Sequence, residues 1–339
     1  MNSIKVSFLL FFVLVIFQWS CVNKSNKDKT NENSENPKTE LAILNEKIIN
    51  DSTDANLFDQ RALLLLQENK INEALHDINI ALQIDNSNSD FFITLSDIYL
   101  KMGEAVKCNN ALNKAISLDK ENLNAILKSA ELNFIVKNYK KTFELLNNAI
   151  KLDEYNPMAY YIKGYTYLEL YDTSRAIENF QIAANQKQDY YEAYLQLGVL
   201  FLSKNDIRTI GYYENALNVN PQSIEALYGI AMYYQKNREY QKALDKYIGI
   251  LKIDSNNTLA YYNTGYIYLV YLNEFEKAIM YFSDAIDISP AYTDAYYNRG
   301  FCYELLNDFV NARDDFQKTL ELVTNHKKAI EGLNRIDKQ

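Results

Sequence analysis

Two histidines and three cysteines carry all of the chain's imidazole and thiol chemistry. His76 and His326 lie 250 residues apart, and neither has a Cys or a second His at metal-ligand spacing. Cys108 and Cys302 each sit inside a helical pattern, 194 residues apart. A disulfide needs Cα atoms within about 7 Å, so both thiols are expected to be small core groups. No GxxxxGK[ST] or GxGxxG stretch is present to cradle a phosphate. Carboxylates occur on every amphipathic segment, and solvated surface is the plainer reading of any pair of them. These residues predict a non-catalytic chain with no metal and no cofactor.

The chemistry that does recur is tyrosine. AYYIKGYTY at 159–167 returns as AYYNTGYIY at 260–268 and AYYNRGFCY at 295–303, with starts 101 and then 35 residues apart. Those offsets are three and one steps of a period near 34, which marks a stack of repeated supersecondary units. The units fall at 55–88, 89–122, 123–156, 157–190, 191–223, 224–257, 258–292 and 293–326. The fifth is one residue short and the seventh one long, each adjustment expected between the unit's two helices.

Counting each unit from its first residue, position 8 reads Ala62, Ser96, Ala130, Gly164, Gly198, Ala231, Gly265 and Gly300. Position 24 is always bulky, from Ile78 through Phe180 to Phe316, and position 27 is Ala in six of the eight units. Positions 4, 8 and 11 share one helix face and must bury together. A small side chain at position 8 then lets the second helix of the unit approach. Pro221 and Pro290 end second helices, and Pro157 starts a first one.

This pattern resembles the tetratricopeptide repeat, a helix-turn-helix unit. The resemblance implies an all-α, right-handed solenoid of eight repeats over 40–339, with a half-unit at 40–50 and a capping helix at 327–338. It also implies that the first helices line a concave wall, where positions 2, 5, 9 and 12–13 meet a ligand. On that register Tyr160, Tyr261 and Tyr296 belong to the core. Tyr161, Leu195, Tyr228, Tyr262 and Tyr297 stand at position 5 of the wall. Tyr165, Val199, Met232, Tyr266 and Phe301 stand at position 9. Asn263 and Asn298, at position 6, are placed to hydrogen-bond a peptide backbone, as asparagine ladders do in this family. A peptide or helix of another protein is the implied partner. The wall of the first three units is more acidic, with Asp90, Asp97 and Glu131. A purely structural spacer, or a non-catalytic subunit of an enzyme complex, is the alternative.

Residues 41–339 carry a formal charge of −10. That sign repels phosphate backbones and anionic lipid headgroups, whose binding needs clustered Lys and Arg, so nucleic acid is not an expected partner. Only nine Gly and four Pro among 339 residues, against 28 Tyr and 16 Phe, fit long uninterrupted helices.

The N-terminus has its own logic. Lys5 precedes an apolar run from Phe8 to Phe17. The run is half the length of a membrane span and suits a secretory signal over 1–20. Ser20-Cys21 resembles the cleavage site of a bacterial lipoprotein, with Cys21 the lipidated residue, although Gln18 and Trp19 replace the usual aliphatic and small residues. An uncleaved anchor or plain secretion are the alternatives. Residues 21–39 are polar and too poor in apolar groups to offset chain entropy, and so are expected to form a disordered tether. The expected setting is the bacterial envelope, on a membrane facing the periplasm, most simply the outer membrane, with an envelope protein as partner.

Overall fold

A computed structural model describes residues 39–338; the expected signal peptide, Cys21 and all of the expected tether except Thr39 lie outside them. The described residues form helices throughout, with no strand among them. After α1 (Glu40–Asn50) come eight helical hairpins: α2 (Ala55–Gln67) with α3 (Ile71–Ile84), α4 (Ser89–Lys101) with α5 (Ala105–Leu118), α6 (Leu123–Ile135) with α7 (Tyr139–Leu152), and α8 (Pro157–Glu169) with α9 (Thr173–Gln186). Next are α10 (Tyr191–Ser203) with α11 (Arg208–Val219), α12 (Ile224–Lys236) with α13 (Tyr240–Ile253), α14 (Thr258–Ile267) with α15 (Phe275–Ile288), and α16 (Thr293–Leu305) with α17 (Phe309–Leu322). A last helix, α18 (Lys327–Ile336), closes the stack. Each helix packs on its hairpin partner and on the next hairpin, which makes an all-α solenoid.

Local chemistry sets the period. Asp54, Asn88, Asn122, Asn156, Ser223 and Asn257 cap first helices, each side chain accepting from a backbone N–H two or three residues on. Every first helix ends at a residue of left-handed backbone: Asn69, Gly103, Lys137, Tyr171, Asn205, Arg238, Asn273 or Asn307. That conformation turns the chain back for the second helix. In the first hairpin, the following N–H of Lys70 donates to the Leu65 carbonyl at 2.8 Å.

The extra residue of unit seven is absorbed differently from the expectation. It enters the last turn of the first helix as a π-helical turn, Tyr268–Leu272, and the connecting turn is unchanged in kind. The closing bond accordingly runs from Glu274 N–H to the Tyr268 carbonyl, at 3.0 Å and one residue wider than Lys70 to Leu65.

Packing centres on the position-24 side chain. Phe180, Tyr247, Phe282 and Phe316 have no exposed surface at all. Phe180, Phe282 and Phe316 each press on the glycine of their own first helix, so that a Cβ built on Gly164 would lie 2.7 Å from Phe180 Cε1. Tyr213 is held from both sides, by Gly198 of its own unit and Gly229 of the next. Cys108 and Cys302 are buried free thiols, and burial pushes their pKa values up to about 11 and about 12.

The two terminal units share a device. Arg61 forks onto Asp77 at 2.6 and 2.8 Å, and Arg299 onto Asp315 at 2.8 Å twice. The third guanidinium contact goes to Asn45 on α1 in the first case and to Ser283 on α15 in the second. Thus α1 stands where the second helix of a preceding unit would stand.

Glycine substitutions should separate packing from helix propensity. Gly229→Ala drives a methyl group into the Tyr213 ring and is expected to destabilise by about 1–3 kcal/mol. Gly211→Ala, on α11 with open space around its Cα, is expected to stabilise by about 0.5–1 kcal/mol. Opposite shifts of the urea midpoint check both.

Candidate functional site

First helices place positions 5 and 9 one turn apart on the same face, so successive units build a wall from paired side chains. The structure gives the two positions different duties. Tyr161, Tyr228, Tyr262 and Tyr297 are half-buried, and each lies against the position-24 ring of its own unit. The ring-centre distances are 5.6 Å to Phe180, 5.6 Å to Tyr247, 5.7 Å to Phe282 and 5.9 Å to Phe316. Leu195 is buried in the core, which interrupts the position-5 stripe at unit five.

The division into core and wall tyrosines therefore does not hold as expected. Tyr160, Tyr261 and Tyr296 are half-buried like their neighbours. Burial drives the Tyr161 hydroxyl well above the usual tyrosine range, with the Tyr165 and Tyr190 hydroxyls and Glu192 adding to the shift. The reason is geometric: a ring at position 5 reaches over the small position-8 residue to the position-24 ring.

Position 9 is more open. Val199 and Met232 are 42% and 37% exposed, and Tyr165, Tyr266 and Phe301 are half-buried beside them. Tyr165 receives a hydrogen bond from the Tyr161 hydroxyl at 3.4 Å, Tyr266 lies 6.2 Å from Tyr262, and Phe301 stacks on Tyr297 at 6.3 Å.

Asn263 and Asn298 are already engaged. The Asn263 Nδ2 donates to the Tyr228 hydroxyl at 3.0 Å, and the Asn298 Nδ2 to the Tyr262 hydroxyl at 2.9 Å. Each bond joins one unit to the unit before it. Such a bond contributes about 0.5–1.5 kcal/mol net, and its loss would leave the buried Asn298 amide unsatisfied.

Several wall residues had escaped the repeat pattern. Tyr190 and Tyr292, at the ends of units four and seven, lie 4.9 Å from Tyr161 and Tyr262, and His326 lies 5.1 Å from Tyr297. The signal was an aromatic ring where other units carry a capping Asn or Ser. Tyr190 and Tyr292 give up the side-chain cap for the ring contact, whereas His326 keeps both through Nδ1. The π-helical turn adds Tyr271, stacked on Tyr240 at 4.3 Å and 6.1 Å from Tyr266.

The acidic end of the wall contains a further residue, Asp59, at position 5 of unit one. Its Oδ1 is buried without a partner, while the Thr94 hydroxyl bonds the carboxyl group. Burial, and then the charges of Asp90 and Asp97, raise its pKa to about 6 despite that bond. Lys128 neutralises Asp97 at 2.7 Å, and burial raises Glu131. Among the described residues no group of three or more His, Cys, Asp or Glu side chains is placed to hold a metal ion.

Stacked hairpins with a side-chain-lined wall define a helical-repeat protein-interaction scaffold. The chain matches tetratricopeptide repeat models over residues 259–292 and 293–323. It is 27% identical over 104 residues to anaphase-promoting complex subunit 3 of Schizosaccharomyces pombe, a match covering 30% of this chain and 16% of that protein. Its fold resembles the C-terminal part of a TPR repeat-containing protein from Cytophaga hutchinsonii, with a TM-score of 0.62 and 19% identity over 70% of this chain and 98% of that one. It also resembles Pseudomonas aeruginosa PilF, with a TM-score of 0.53 and 18% identity over 62% and 96% of the two chains.

Asp59 gives a pH test with a definite sign. Its folded pKa of about 6 exceeds the reference value of 3.8, so the fold favours the neutral acid. Its contribution to stability is full below the unfolded pKa and is lost as pH rises to about 6. Asp59→Asn is expected to raise the melting temperature at pH 7. Its advantage over wild type should vanish toward pH 4, as read by thermal melts across that range.

Proposed function

We propose that the chain is a non-catalytic adaptor which captures a peptide or helix of another envelope protein along its concave wall. The observation that carries this reading is the open position-9 row, in which Val199 and Met232 keep apolar surface in solvent between flanking aromatic groups. An apolar strip repeated on successive first helices suits an extended or helical segment. The polar tips of Tyr165 and Tyr266 tolerate residual water at its edges. The position-5 tyrosines support this strip from beneath. The Asn263 and Asn298 amides tie its units together through the Tyr228 and Tyr262 hydroxyls.

A structural spacer is the competing reading, favoured by the internal duties of those tyrosines and asparagines. Exposed position-9 residues separate the two readings, because changing them leaves the core intact. Val199→Glu with Met232→Glu is expected to abolish capture of protein partners from native membranes while leaving the urea midpoint within about 0.5 kcal/mol of wild type. Recovery of the same partners at wild-type yield would leave the spacer reading in possession.

The adaptor reading places the chain in a bacterial envelope, held to a membrane by a diacylated Cys21, on the periplasmic side of the outer membrane. Two acyl chains suffice for stable anchoring at about 0.8 kcal/mol per buried CH₂. Cys21→Ser is expected to eliminate incorporation of radiolabelled palmitate. Undiminished incorporation in that variant would reject lipidation at this residue.

A further inference from the structure

The turns that join the two helices of each unit line one edge of the solenoid, and the turns between units line the other. The two edges differ in chemistry. Over units two to five the first edge bears Met102, Val106, Val136, Leu170, Tyr171 and Ile207, all exposed. Val106 is 74% and Tyr171 93% exposed, values that belong to protruding tips and not to the walls of a pocket. Tyr171 is also one of the left-handed residues, at φ 60°, where most other units use Asn or Gly. A bulky side chain in that conformation is strained, and an exposed ring gains little inside the fold to compensate.

Beside these tips stand Lys101, Lys137, Lys140 and Lys204, all exposed and none in a salt bridge among the described residues. Three carboxylates of the same turns are ion-paired, Glu104 with Lys107 at 3.5 Å, Asp172 with Arg175 at 2.6 Å and Asp206 with Arg208 at 2.7 Å, and Glu169 accepts from the Tyr139 hydroxyl at 3.1 Å. The opposite edge carries Asp85, Asp119, Glu121, Asp153, Glu154 and Asp189 against Lys120 and Lys187. A chain of charge −9 thus concentrates unpaired positive charge beside its most protruding apolar side chains.

We infer that this edge of units two to five is a peripheral docking face for an anionic lipid surface, with the Tyr171, Val106 and Val136 tips entering the headgroup layer and the four lysines meeting lipid phosphates. Charge complementarity selects this occupant. A row of separate tips suits a soft, flat layer, whereas a folded partner needs matching concavities, and lysines at the rim add electrostatic attraction to acidic headgroups. The described residues hold no helix long and apolar enough to cross a membrane. Contact by this edge is therefore superficial. The inference is independent of the concave wall and of lipidation.

Two matched reporters test it in the full-length chain. Trp19 is the sole tryptophan, so Trp19→Phe provides a silent background. Tyr171→Trp reports on the docking edge and Tyr155→Trp, 61% exposed in the native chain, on the opposite one. Vesicles are made of brominated phosphatidylcholine alone or mixed with phosphatidylglycerol. The expected result is a blue shift and quenching at position 171 on anionic vesicles only, with position 155 unaffected. Replacing Lys101, Lys137 and Lys140 by Gln should raise the half-saturating lipid concentration on the order of a hundredfold, at about 1 kcal/mol for each lysine. Met232→Glu should leave the signal unchanged, which separates failure here from failure of the groove reading. The inference is overturned if neither reporter is quenched, if both are quenched equally, if neutral and anionic vesicles act alike, or if the lysine variant binds as wild type does.

Discussion

The structure depends on one contact, an aromatic or branched side chain of a second helix pressed against a residue with almost no side chain on a first helix. Where the small residue is glycine the ring meets backbone, as at Gly164 with Phe180 and Gly265 with Phe282. Where two first helices face one ring, as Gly198 and Gly229 face Tyr213, the same group closes its own hairpin and seats the next. A hairpin alone has one face covered, and this shared ring makes stacking obligatory. Interiors of this density tolerate neither an added methyl group nor a missing one without cost.

The wall inherits that constraint. A position-5 tyrosine has to lie over the ring beneath it, and most of its surface is consumed there. What it keeps is a hydroxyl, which Asn263 and Asn298 use to tie units six to seven and seven to eight. The pairs that look like an interrupted peptide-binding ladder are thus inter-unit fastenings. Position 9, one turn further on, keeps more open surface at Val199 and Met232, and the proposed capture of a partner rests there.

The fold was legible because its determinants are local and repeated. Small residues at position 8, bulky ones at 24 and alanines at 27 return on one period, and each has a single packing consequence. The duties of individual wall residues were less legible, since they depend on contacts between units that no single unit encodes. Tyr161 and Tyr160 are adjacent and chemically identical, and only the position of Phe180 and Tyr190 distinguishes them. The Arg61–Asp77 and Arg299–Asp315 forks were present in the sequence as one spacing of 16 residues used twice. That spacing is not part of the helix-face pattern and carries no meaning until the hairpin closes. The extra residue of unit seven was countable, yet its placement in a π-helical turn follows from helix hydrogen bonding that composition does not express.

One helix serves several surfaces without conflict because its faces are angularly separate. Positions 4, 8 and 11 of each first helix fill the core and positions 5 and 9 build the wall. The residues just past position 12 leave the helix altogether and form the edge, where Val136, Leu170 and Tyr171 project. A substitution on the edge is therefore felt neither by the position-24 rings nor by the position-9 row. The charge distribution follows the same partition. On the N-terminal wall the charges of Asp90 and Asp97 add to the cost of ionising Asp59, while Lys137, Lys140 and Lys204 sit at or beside the turns of later units. Interactions between exposed charges are screened over about 8–10 Å, which is shorter than the roughly 13 Å from position 5 to a turn residue at 1.5 Å per residue. A position-5 charge and a turn charge can thus differ in sign in the same unit with little effect on each other.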